Sequence, residues 1–457
     1  MKIVIIGAGK IGVTLTEQLT AEGHRVTLVD KDADALEAIG NELDIMTVAG
    51  NGISKETQEE ADIPEADLVI SVMSTDEQNL LACLTARKLG VGNTIARVRN
   101  PEYAKSLVLL KDDLGLSMAL NPELASATEI ARLLRAPSAM KIDTFSKGRV
   151  ELFKVRLPEN SPLAGMRLSE LGRLYAGILI CVVERGVQDV FIPDGSFVLQ
   201  KGDRISFVAK PKVAAKFFHK IGIQTSPIKQ VMLLGGGRIS YYLARQLMEF
   251  GIDVKIIEID QDVCNALAIQ LPEATVIHGD ATDERLLARE GIARMDAVAS
   301  LTGIDEENVL MSLYAGSVSD AKIITKINRT AFSHIVQSMD LGSVFHPRKI
   351  AANAIVRYAR AMQNSLGSNV ETLYKIVEGK AEALEFRASA RSAVCGKPLM
   401  ELPLLPNLLI GAINRDGKIL TPSGRDIIQP DDTVIVVTGV MGLNDLDDIL
   451  DKRRAKA

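Results

Sequence analysis

The sequence is poor in aromatic residues and in cysteine. Its 457 residues include no tryptophan, and the four cysteines stand far apart, at Cys83, Cys181, Cys264 and Cys395. Cysteines without paired spacing rule against a disulfide framework or a zinc knuckle, and they fit a reducing cytoplasm. No apolar run approaches the ~18 residues that a membrane-spanning helix needs. The sequence therefore predicts a cytoplasmic protein without direct membrane insertion.

Charge and histidine content exclude further classes of function. The net charge is −5, so the overall balance does not suggest nucleic-acid binding. None of the five histidines stands in a recognisable acid–base, metal or nucleophile motif. Two of them, His24 and His219, are expected on the surface. We therefore predict no catalytic residue, no metal site and no nucleic-acid partner.

The N-terminal stretch carries a glycine motif. An apolar run over residues 3–6 is followed by Gly7, Gly9 and Gly12, and then by apolar residues at helical spacing. This order predicts a strand, a tight turn and a helix, as in a Rossmann unit. The first glycine permits the turn, the second lets backbone N–H groups approach a pyrophosphate, and the third allows close packing. The stretch therefore predicts a nucleotide site at the helix N-terminus; the alternative is a glycine turn that only packs the helix.

A second predicted strand ends in a carboxylate. Residues 25–30 form this strand, and Asp30 lies 18 positions after Gly12 (30 − 12 = 18). A Rossmann unit places the acceptor for the ribose hydroxyls at about this distance. Because a carboxylate repels a 2′-phosphate, NAD or an adenosine nucleotide is a better candidate ligand than NADP.

Strand and helix patterns alternate through the first part of the chain. Six strands of a doubly wound parallel sheet are predicted at residues 2–6, 25–30, 45–48, 67–72, 94–98 and 116–119. Short alternating strands follow at 150–157, 178–184 and 204–208. A closing helix is predicted over 211–220 and a linker over 224–229. This order indicates a Rossmann-like domain followed by a small α+β domain.

The same pattern recurs in the second half. Gly235 lies 228 positions after Gly7 (235 − 7 = 228), and Lys326 lies 229 positions after Arg97 (326 − 97 = 229). Landmarks of the small domain recur in the same way. The sequence therefore predicts an α/β fold made by tandem duplication of a Rossmann-like doubly wound parallel-sheet domain plus a small α+β domain.

Several motifs together resemble one family. They are the glycine loop with Asp30, the Asn121-Pro122-Glu123 sequence, the Gly279-Asp280-Ala281-Thr282 sequence and the twofold repeat. Over essentially its whole length the chain resembles the TrkA family, the RCK/KTN regulatory subunits of Trk-type potassium uptake systems. The resemblance implies a subunit peripheral to the inner face of the cell membrane. It would gate a Trk-type potassium-conducting membrane subunit in response to NAD(H) or to ATP and ADP.

The resemblance also implies four domains. The first Rossmann (RCK N-type) domain is expected over residues 1–136, and the first small (RCK C-type) domain over 137–222. The second pair is expected over 228–360 and 368–453. Two such pairs per chain would build a closed ring from four chains, with two chains as the alternative.

Matching the family motifs position by position gives candidate nucleotide-binding residues in both halves. In the first half they are Gly7, Ala8, Gly9, Lys10, Ile11, Gly12, Asp30, Asn51, Gly52, Met73, Ser74 and Arg97. In the second half they are Gly235, Gly236, Gly237, Arg238, Ile239, Glu258, Asp280, Ala281, Thr302 and Lys326. Asn51 and Met73 depart from the family, which often has an aspartate and a small polar residue there.

The second half departs from the first in its glycine loop. Ser240 stands in place of the third glycine, and Glu258 in place of the shorter Asp30. A bulkier turn and a longer acid predict a different ligand preference. Arg238 offers a bidentate fork for phosphate, which makes ATP or ADP the better candidate for this half.

Three alternatives stay open at the level of the sequence. An NAD-dependent oxidoreductase would use the same loops, although the small domains offer little room for a substrate site. Alternatively, the protein is a sensor whose ligand is a cyclic dinucleotide bound at paired small domains. Glu123 would join a cation site beside the nucleotide, or it is only a favourable acid in the first turn of a helix.

Overall fold

The computed structural model describes residues 1–110, 113–135, 141–145, 149–186, 189–223, 227–329, 336, 339, 341–364, 370–377 and 380–451. The predicted linker over 224–229 lies partly outside these ranges. The predicted domain limits at 136–137 and at 368 lie outside them as well, and the four domain boundaries stay predictions.

A parallel sheet of six strands forms the first Rossmann unit, as predicted. Its order is β3-β2-β1-β4-β5-β6. The strands are β1 (Lys2–Ile6), β2 (Arg25–Asp30), β3 (Met46–Ala49), β4 (Leu68–Ser71), β5 (Thr94–Arg97) and β6 (Met118–Leu120). The strand order reverses between β1 and β4, so the carboxyl ends of these strands border a crevice. The apolar run from Ile3 to Ile6 is buried because helices cover both faces of the sheet.

The helices of this unit begin and end at local signals. They are α1 (Lys10–Ala21), α2 (Ala33–Leu43), α3 (Lys55–Glu60), α4 (Asp76–Lys88), α5 (Pro101–Leu110) and α6 (Pro122–Arg135). Asp32, Ser54 and Thr75 cap α2, α3 and α4, since each side chain accepts a hydrogen bond from a backbone N–H of the first turn. Gly23 is left-handed (φ 79°) and follows the end of α1.

A small antiparallel sheet follows. Its order is β10-β9-β11-β8-β7. The strands are β7 (Lys141–Phe145), β8 (Val150–Arg156), β9 (Leu179–Arg185), β10 (Asp189–Phe191) and β11 (Arg204–Ala209), and the helices are α7 (Leu168–Leu174) and α8 (Pro211–Lys220). Strands β8, β9 and β11 and helix α8 match the predicted elements.

The second Rossmann unit repeats the first, with all its strands parallel and in the order β14-β13-β12-β15-β16-β17. The strands are β12 (Gln230–Leu234), β13 (Asp253–Glu258), β14 (Thr275–His278), β15 (Ala297–Ser300), β16 (Lys322–Lys326) and β17 (Ser343–Phe345). The described helices are α9 (Arg238–Glu249), α10 (Gln261–Gln270), α11 (Glu284–Arg289), α12 (Asp305–Val318) and α13 (Pro347–Asn364). The predicted duplication is confirmed.

A second small antiparallel sheet packs against the first small sheet. Its order is β18-β19-β22-β20-β21. The strands are β18 (Val370–Val377), β19 (Ala381–Arg387), β20 (Leu408–Arg415), β21 (Lys418–Leu420) and β22 (Thr433–Thr438). Equivalent ion pairs occur in both sheets, Arg185 with Asp203 (2.9 Å) and Arg415 with Asp432 (2.7 Å). Buried apolar side chains of both sheets form one core between them.

The last helix of each Rossmann unit packs on the other unit. Helix α6 lies against α9, and its Ile130 shares a core with Val231 of β12. Helix α13 lies against α1, and its Ile355 shares a core with Ile5 of β1. Each Rossmann core is therefore completed by a helix from the other half of the chain, and we call this arrangement the helix exchange.

The helix exchange corrects one expectation about the surface. The sequence predicts an exposed His24, yet only 5% of this residue is accessible. Helix α13 covers this end of α1, where Arg360 forms a bidentate ion pair with Glu22 (2.7 and 2.8 Å). Burial lowers the pKa of His24. His219 is exposed, as expected.

None of the helices in the described ranges is long and apolar enough to cross a membrane. The four cysteines are free thiols, of which Cys83, Cys181 and Cys264 are buried. Burial raises the pKa of the Cys83 and Cys181 thiols to about 12. These two thiols are therefore protonated and unreactive at neutral pH.

Candidate nucleotide-binding cleft

The carboxyl ends of the two parallel sheets open into a common cleft of about 1160 Å³. Both glycine loops reach it, since Gly7 and Gly9 of the first loop and Gly237 of the second line its wall. Open α/β sheets bind their ligands in such a crevice, at the point where the strand order reverses. Parts of both glycine loops therefore border one cleft.

The first glycine loop is packed too closely for a side chain at two of its positions. Gly7 has a φ of 112°, and a Cβ there would lie 3.0 Å from the backbone nitrogen of Met73. A Cβ at Gly12 would lie 1.8 Å from the Gly7 carbonyl oxygen. At Gly9, a Cβ would meet no atom within 4 Å. The third glycine thus serves helix packing, as expected, while the second leaves the loop open towards the cleft.

Gly12→Ala is expected to lower both the stability of the protein and its affinity for nucleotide. The added methyl group overlaps the Gly7 carbonyl oxygen, so the loop must open at a cost of about 1–3 kcal/mol. Thermal unfolding and NADH titration of the full chain measure the two effects. Gly9→Ala is the matched control for stability, because free space surrounds that position. An unchanged melting temperature for Gly12→Ala would contradict this packing.

Asp30 lies at the end of β2, against the first glycine loop. Its Oδ2 accepts a hydrogen bond from the backbone N–H of Ala8 (2.6 Å), and its Oδ1 accepts one from Asp32 (3.1 Å). These two bonds fix the carboxylate at the wall of the cleft, with Lys31 beside it. A fixed acceptor at this place suits the hydroxyls of a ribose.

A buried asparagine joins the ends of β4 and β5. Asn79 accepts a hydrogen bond from the Met73 N–H (2.6 Å) and donates one to the Arg97 carbonyl oxygen (2.9 Å). The Arg97 guanidinium in turn donates to the Met73 carbonyl oxygen. Asn308 makes the corresponding backbone contacts in the second half. In both halves, therefore, a buried asparagine joins the strand ends that form the cleft wall.

The cleft carries an excess of positive charge. Its basic residues are Lys10, Lys31, Arg97, Arg99, Arg238, Lys326, Arg329 and Arg348, and its acidic residues are Asp30, Glu123 and Asp305. Burial, and then the neighbouring Arg99, lowers the pKa of Arg97, and burial lowers the pKa of Lys326. The Nε of Arg97 is buried without a hydrogen-bond partner. Cations held in this way favour an anionic ligand such as a phosphate.

An ion pair stands where the two halves meet. Arg99 donates to one oxygen of Glu123 from both Nε and Nη2, each at 2.6 Å. The other oxygen of Glu123 is buried without a hydrogen-bond partner. Because Glu123 lies in the first turn of α6, its charge also favours the positive end of that helix. A cation site at Glu123 stays a hypothesis.

The structure places many of the predicted binding residues at the cleft. Those that line it are Gly7, Gly9, Lys10, Ile11, Asp30, Asn51, Gly52, Met73, Ser74, Arg97, Gly237, Arg238, Ile239 and Lys326. Those outside its lining are Ala8, Gly12, Gly235, Gly236, Glu258, Asp280, Ala281 and Thr302. The first half therefore contributes its glycine loop and its acid, whereas the second half contributes mainly cations.

The acid of the second half makes the same two backbone hydrogen bonds as Asp30 but lies outside the cleft lining. Glu258 accepts hydrogen bonds from the backbone N–H groups of Gly236 (2.5 Å) and Asp260 (2.8 Å). The Ser240 hydroxyl donates to the Gly235 carbonyl oxygen. We expected Ser240 to disturb this loop. The loop accommodates it, because the hydroxyl has the Gly235 carbonyl oxygen as a hydrogen-bond partner.

Sequence reasoning missed several residues of the cleft. They are Lys31, Gln78, Arg99, Asp305, Asn328, Arg329 and Arg348. Arg99 and Arg329 follow closely after β5 and β16, and the carboxyl ends of parallel strands meet at the crevice. That position was a usable signal for both. Arg348 follows the parallel strand β17 by three positions and carried the same signal.

Fold and cleft together define a tandem Rossmann protein with paired small domains and a basic crevice between its halves. The TrkA-N domain family matches residues 3–122 and 231–347, and the TrkA-C domain family matches residues 152–222 and 383–451. The chain belongs to the TrkA family. The resemblance seen in the sequence is thereby confirmed.

Two archaeal relatives match along almost their whole length. A Trk system potassium uptake protein TrkA homolog of Archaeoglobus fulgidus is 33% identical over 437 residues, which cover 95% of this chain and 97% of the relative. TrkA homolog 2 of Methanosarcina mazei is 30% identical over 444 residues, with the same shares of the two chains covered. Potassium uptake is the activity that both names give.

Solved structures share the fold. The crystal structure of the GsuK RCK domain aligns with a TM-score of 0.61 at 21% identity, covering 96% of this chain and 93% of that one. The GsuK channel bound to NAD aligns with the same TM-score and identity, covering 96% of this chain and 77% of that one. These alignments confirm the predicted Rossmann and small-domain architecture.

Proposed function

We propose that this protein is a nucleotide-sensing regulatory subunit that gates a Trk-type potassium transporter or channel from the cytoplasmic face of the cell membrane. The observation that carries the proposal is the basic cleft, which both halves of the chain line. A ligand in this cleft contacts two units at once, so its binding affects how the halves sit against each other. The relatives named as potassium uptake proteins support the transport system as the partner.

NAD(H) is the ligand that we assign to the first half. Asp30 would accept hydrogen bonds from ribose hydroxyls, and the backbone of residues 7–11 would bind the diphosphate. The GsuK channel, whose fold this chain shares, binds NAD, and this supports the assignment. The second half would add Arg238 and Lys326, whose charges suit a further phosphate. ATP and ADP are therefore the second class of ligand that we propose.

The ligand would act by differential affinity. A nucleotide that binds one arrangement of the halves more tightly shifts the population towards it. A coupling of about 1–3 kcal/mol between nucleotide and pore would change gating some 5- to 150-fold. No chemical step on the nucleotide is needed for this effect, whereas the alternative, an NAD-dependent oxidoreductase, would require one.

Titration of the full chain tests the proposal. NADH, NAD, ATP, ADP and cyclic di-AMP are each added in a calorimeter, and the nicotinamide absorbance is then followed over hours. We expect binding of NADH and of ADP or ATP without sustained turnover. Sustained oxidation of NADH would favour the oxidoreductase, and binding of cyclic di-AMP alone would move the ligand to the small domains. Potassium flux in vesicles that hold the membrane subunit should then depend on the bound nucleotide.

We also propose that four chains form a ring, with two as the alternative. Leu81 of α4 and Leu310 of α12 are 49% and 67% exposed, and they lie 229 positions apart (310 − 81 = 229). An apolar residue exposed on the same helix of both units favours contact between copies. Contact of α4 in one copy with α12 in the next would be heterologous, the type of contact that forms a ring when the rotation between copies closes.

Leu310→Glu is expected to reduce the oligomer to a smaller species. A charge at a packed apolar contact costs more than the contact contributes, because it must be desolvated. Light scattering at micromolar concentration measures the mass. Ile269→Glu is the control, since Ile269 is 82% exposed on α10 and lies outside the proposed contact. A monomeric wild-type chain, with and without nucleotide, would defeat the ring.

A further inference from the structure

A buried tyrosine links the second half to the first beside the cleft. Tyr242 of α9 is 5% exposed, so its hydroxyl must find partners inside the protein. The hydroxyl accepts a hydrogen bond from Asn121 Nδ2 (2.9 Å) and donates one to the Arg99 carbonyl oxygen (3.2 Å). Both partners belong to the first half, so one hydroxyl bridges two segments across the junction.

The two segments that this hydroxyl joins carry the ion pair of the junction. Arg99 supplies the guanidinium and Glu123, two positions after Asn121, supplies the carboxylate. Asn121 also accepts a hydrogen bond from the Leu124 N–H (2.8 Å), which fixes the start of α6. A shift of Tyr242 would therefore displace the backbone on both sides of the ion pair.

On the cleft side, Tyr242 is connected through helix α9 to Arg238. It precedes Tyr242 by four positions on α9, which places both on one face of the helix, one turn apart. Arg238 lines the cleft. At the corresponding place in the first half, Thr14 donates to the Lys10 carbonyl oxygen within its own helix (3.0 Å). The contact that Tyr242 makes with the other half of the chain therefore has no counterpart at Thr14 of the first half.

We infer that Tyr242 is a positioning residue that holds Arg238 in register with the Arg99–Glu123 pair. Residues one turn apart on a helix keep a fixed backbone spacing, so holding Tyr242 against the first half also places the backbone of Arg238 one turn earlier. The inference rests on the proposed function, because it concerns how phosphates are bound in the cleft. Tyr242 would hold Arg238 where it can contact a phosphate that the first half also binds. The phosphate would then have ligands in both halves.

A double-mutant cycle on the full chain tests this role. ADP is titrated into the wild type, Tyr242→Phe, Arg238→Gln and the double variant, and adenosine serves as a ligand without phosphates. Tyr242→Phe keeps the buried ring and is expected to weaken ADP binding roughly 3- to 10-fold, with adenosine affinity unchanged. The double variant should bind ADP about as weakly as Arg238→Gln alone, because the two changes remove one interaction.

Matched variants separate positioning from general damage. Tyr241→Phe removes a neighbouring phenol on the same helix and should leave ADP affinity at the wild-type value. Asn121→Ser keeps an oxygen that caps α6, removes the amide that holds the Tyr242 hydroxyl, and should repeat the loss of ADP affinity.

Three results would overturn the inference. They are an equal loss of ADP and adenosine affinity in Tyr242→Phe, independent effects of Tyr242 and Arg238 that multiply in the double variant, and unchanged ADP affinity in Tyr242→Phe. A wild-type chain that binds no nucleotide would instead defeat the proposed function, and the inference with it.

Discussion

Residues 1–222 expressed without the rest of the chain are expected not to form a stable monomer. The core around Ile5 and Leu15 is completed by α13, which belongs to the second half. Loss of that helix returns large buried side chains to water, at about 1.5–3 kcal/mol for each one fully exposed. The fragment should therefore aggregate or pair with a second copy. Mixed with residues 228–457, it should form a stable one-to-one complex.

A point substitution in α13 tests the same arrangement in the intact protein. Ala352 is fully buried against the first Rossmann core, so Ala352→Asp should destabilise that unit by roughly 3–5 kcal/mol, the cost of an uncompensated buried charge. Asn353→Asp is the matched control, because the next residue on the helix is exposed. Hydrogen exchange of β1 amides reads the effect locally. Protection lost only in the second sheet would contradict the helix exchange.

Asp30→Ala is expected to weaken binding of NAD and NADH by roughly 10- to 150-fold, which corresponds to about 1.5–3 kcal/mol. The carboxylate is held at the cleft wall by the Ala8 and Asp32 N–H groups, so it is ready to accept ribose hydroxyls. Calorimetric titration of the full chain measures the change. Unchanged affinity for every nucleotide would remove Asp30 from the site.

Two controls separate the charge of Asp30 from the shape of the loop. Asp30→Asn keeps an acceptor for the Ala8 N–H and should lose less affinity than the alanine variant. Glu258→Ala removes the equivalent acid of the second half, which lies outside the cleft lining. It should leave NADH affinity nearly unchanged. A larger loss with Glu258→Ala than with Asp30→Ala would place the dinucleotide in the second half.

The elements that local patterns define were predictable from the sequence. The strand over residues 2–6, the glycine loop and the closing helix over 211–220 each follow from hydrophobic period, glycine spacing or flanking breakers. The duplication followed from a nearly constant shift of landmarks. These features depend on residues that are neighbours in the sequence, and so the one-dimensional pattern contains them.

The helix exchange was not predictable in the same way. The apolar faces of α6 and α13 show that each helix needs a sheet to cover, but the pattern does not say which sheet. Glu258 illustrates a further limit, because its bond to the Gly236 N–H depends on side-chain length and loop shape together.

Because the chain is synthesised from its N-terminus, the first sheet is made well before helix α13, which completes its core. Strand β6 ends at Leu120 and α13 begins at Pro347, which lies 227 positions later (347 − 120 = 227). At about 5–20 residues per second, the first sheet waits roughly 10–45 s for the helix that covers it. During that interval the face that will pack on Ile355 is open to water or to a chaperone. The first half therefore leaves the ribosome with an unfinished core and completes it only when most of the second half has been made.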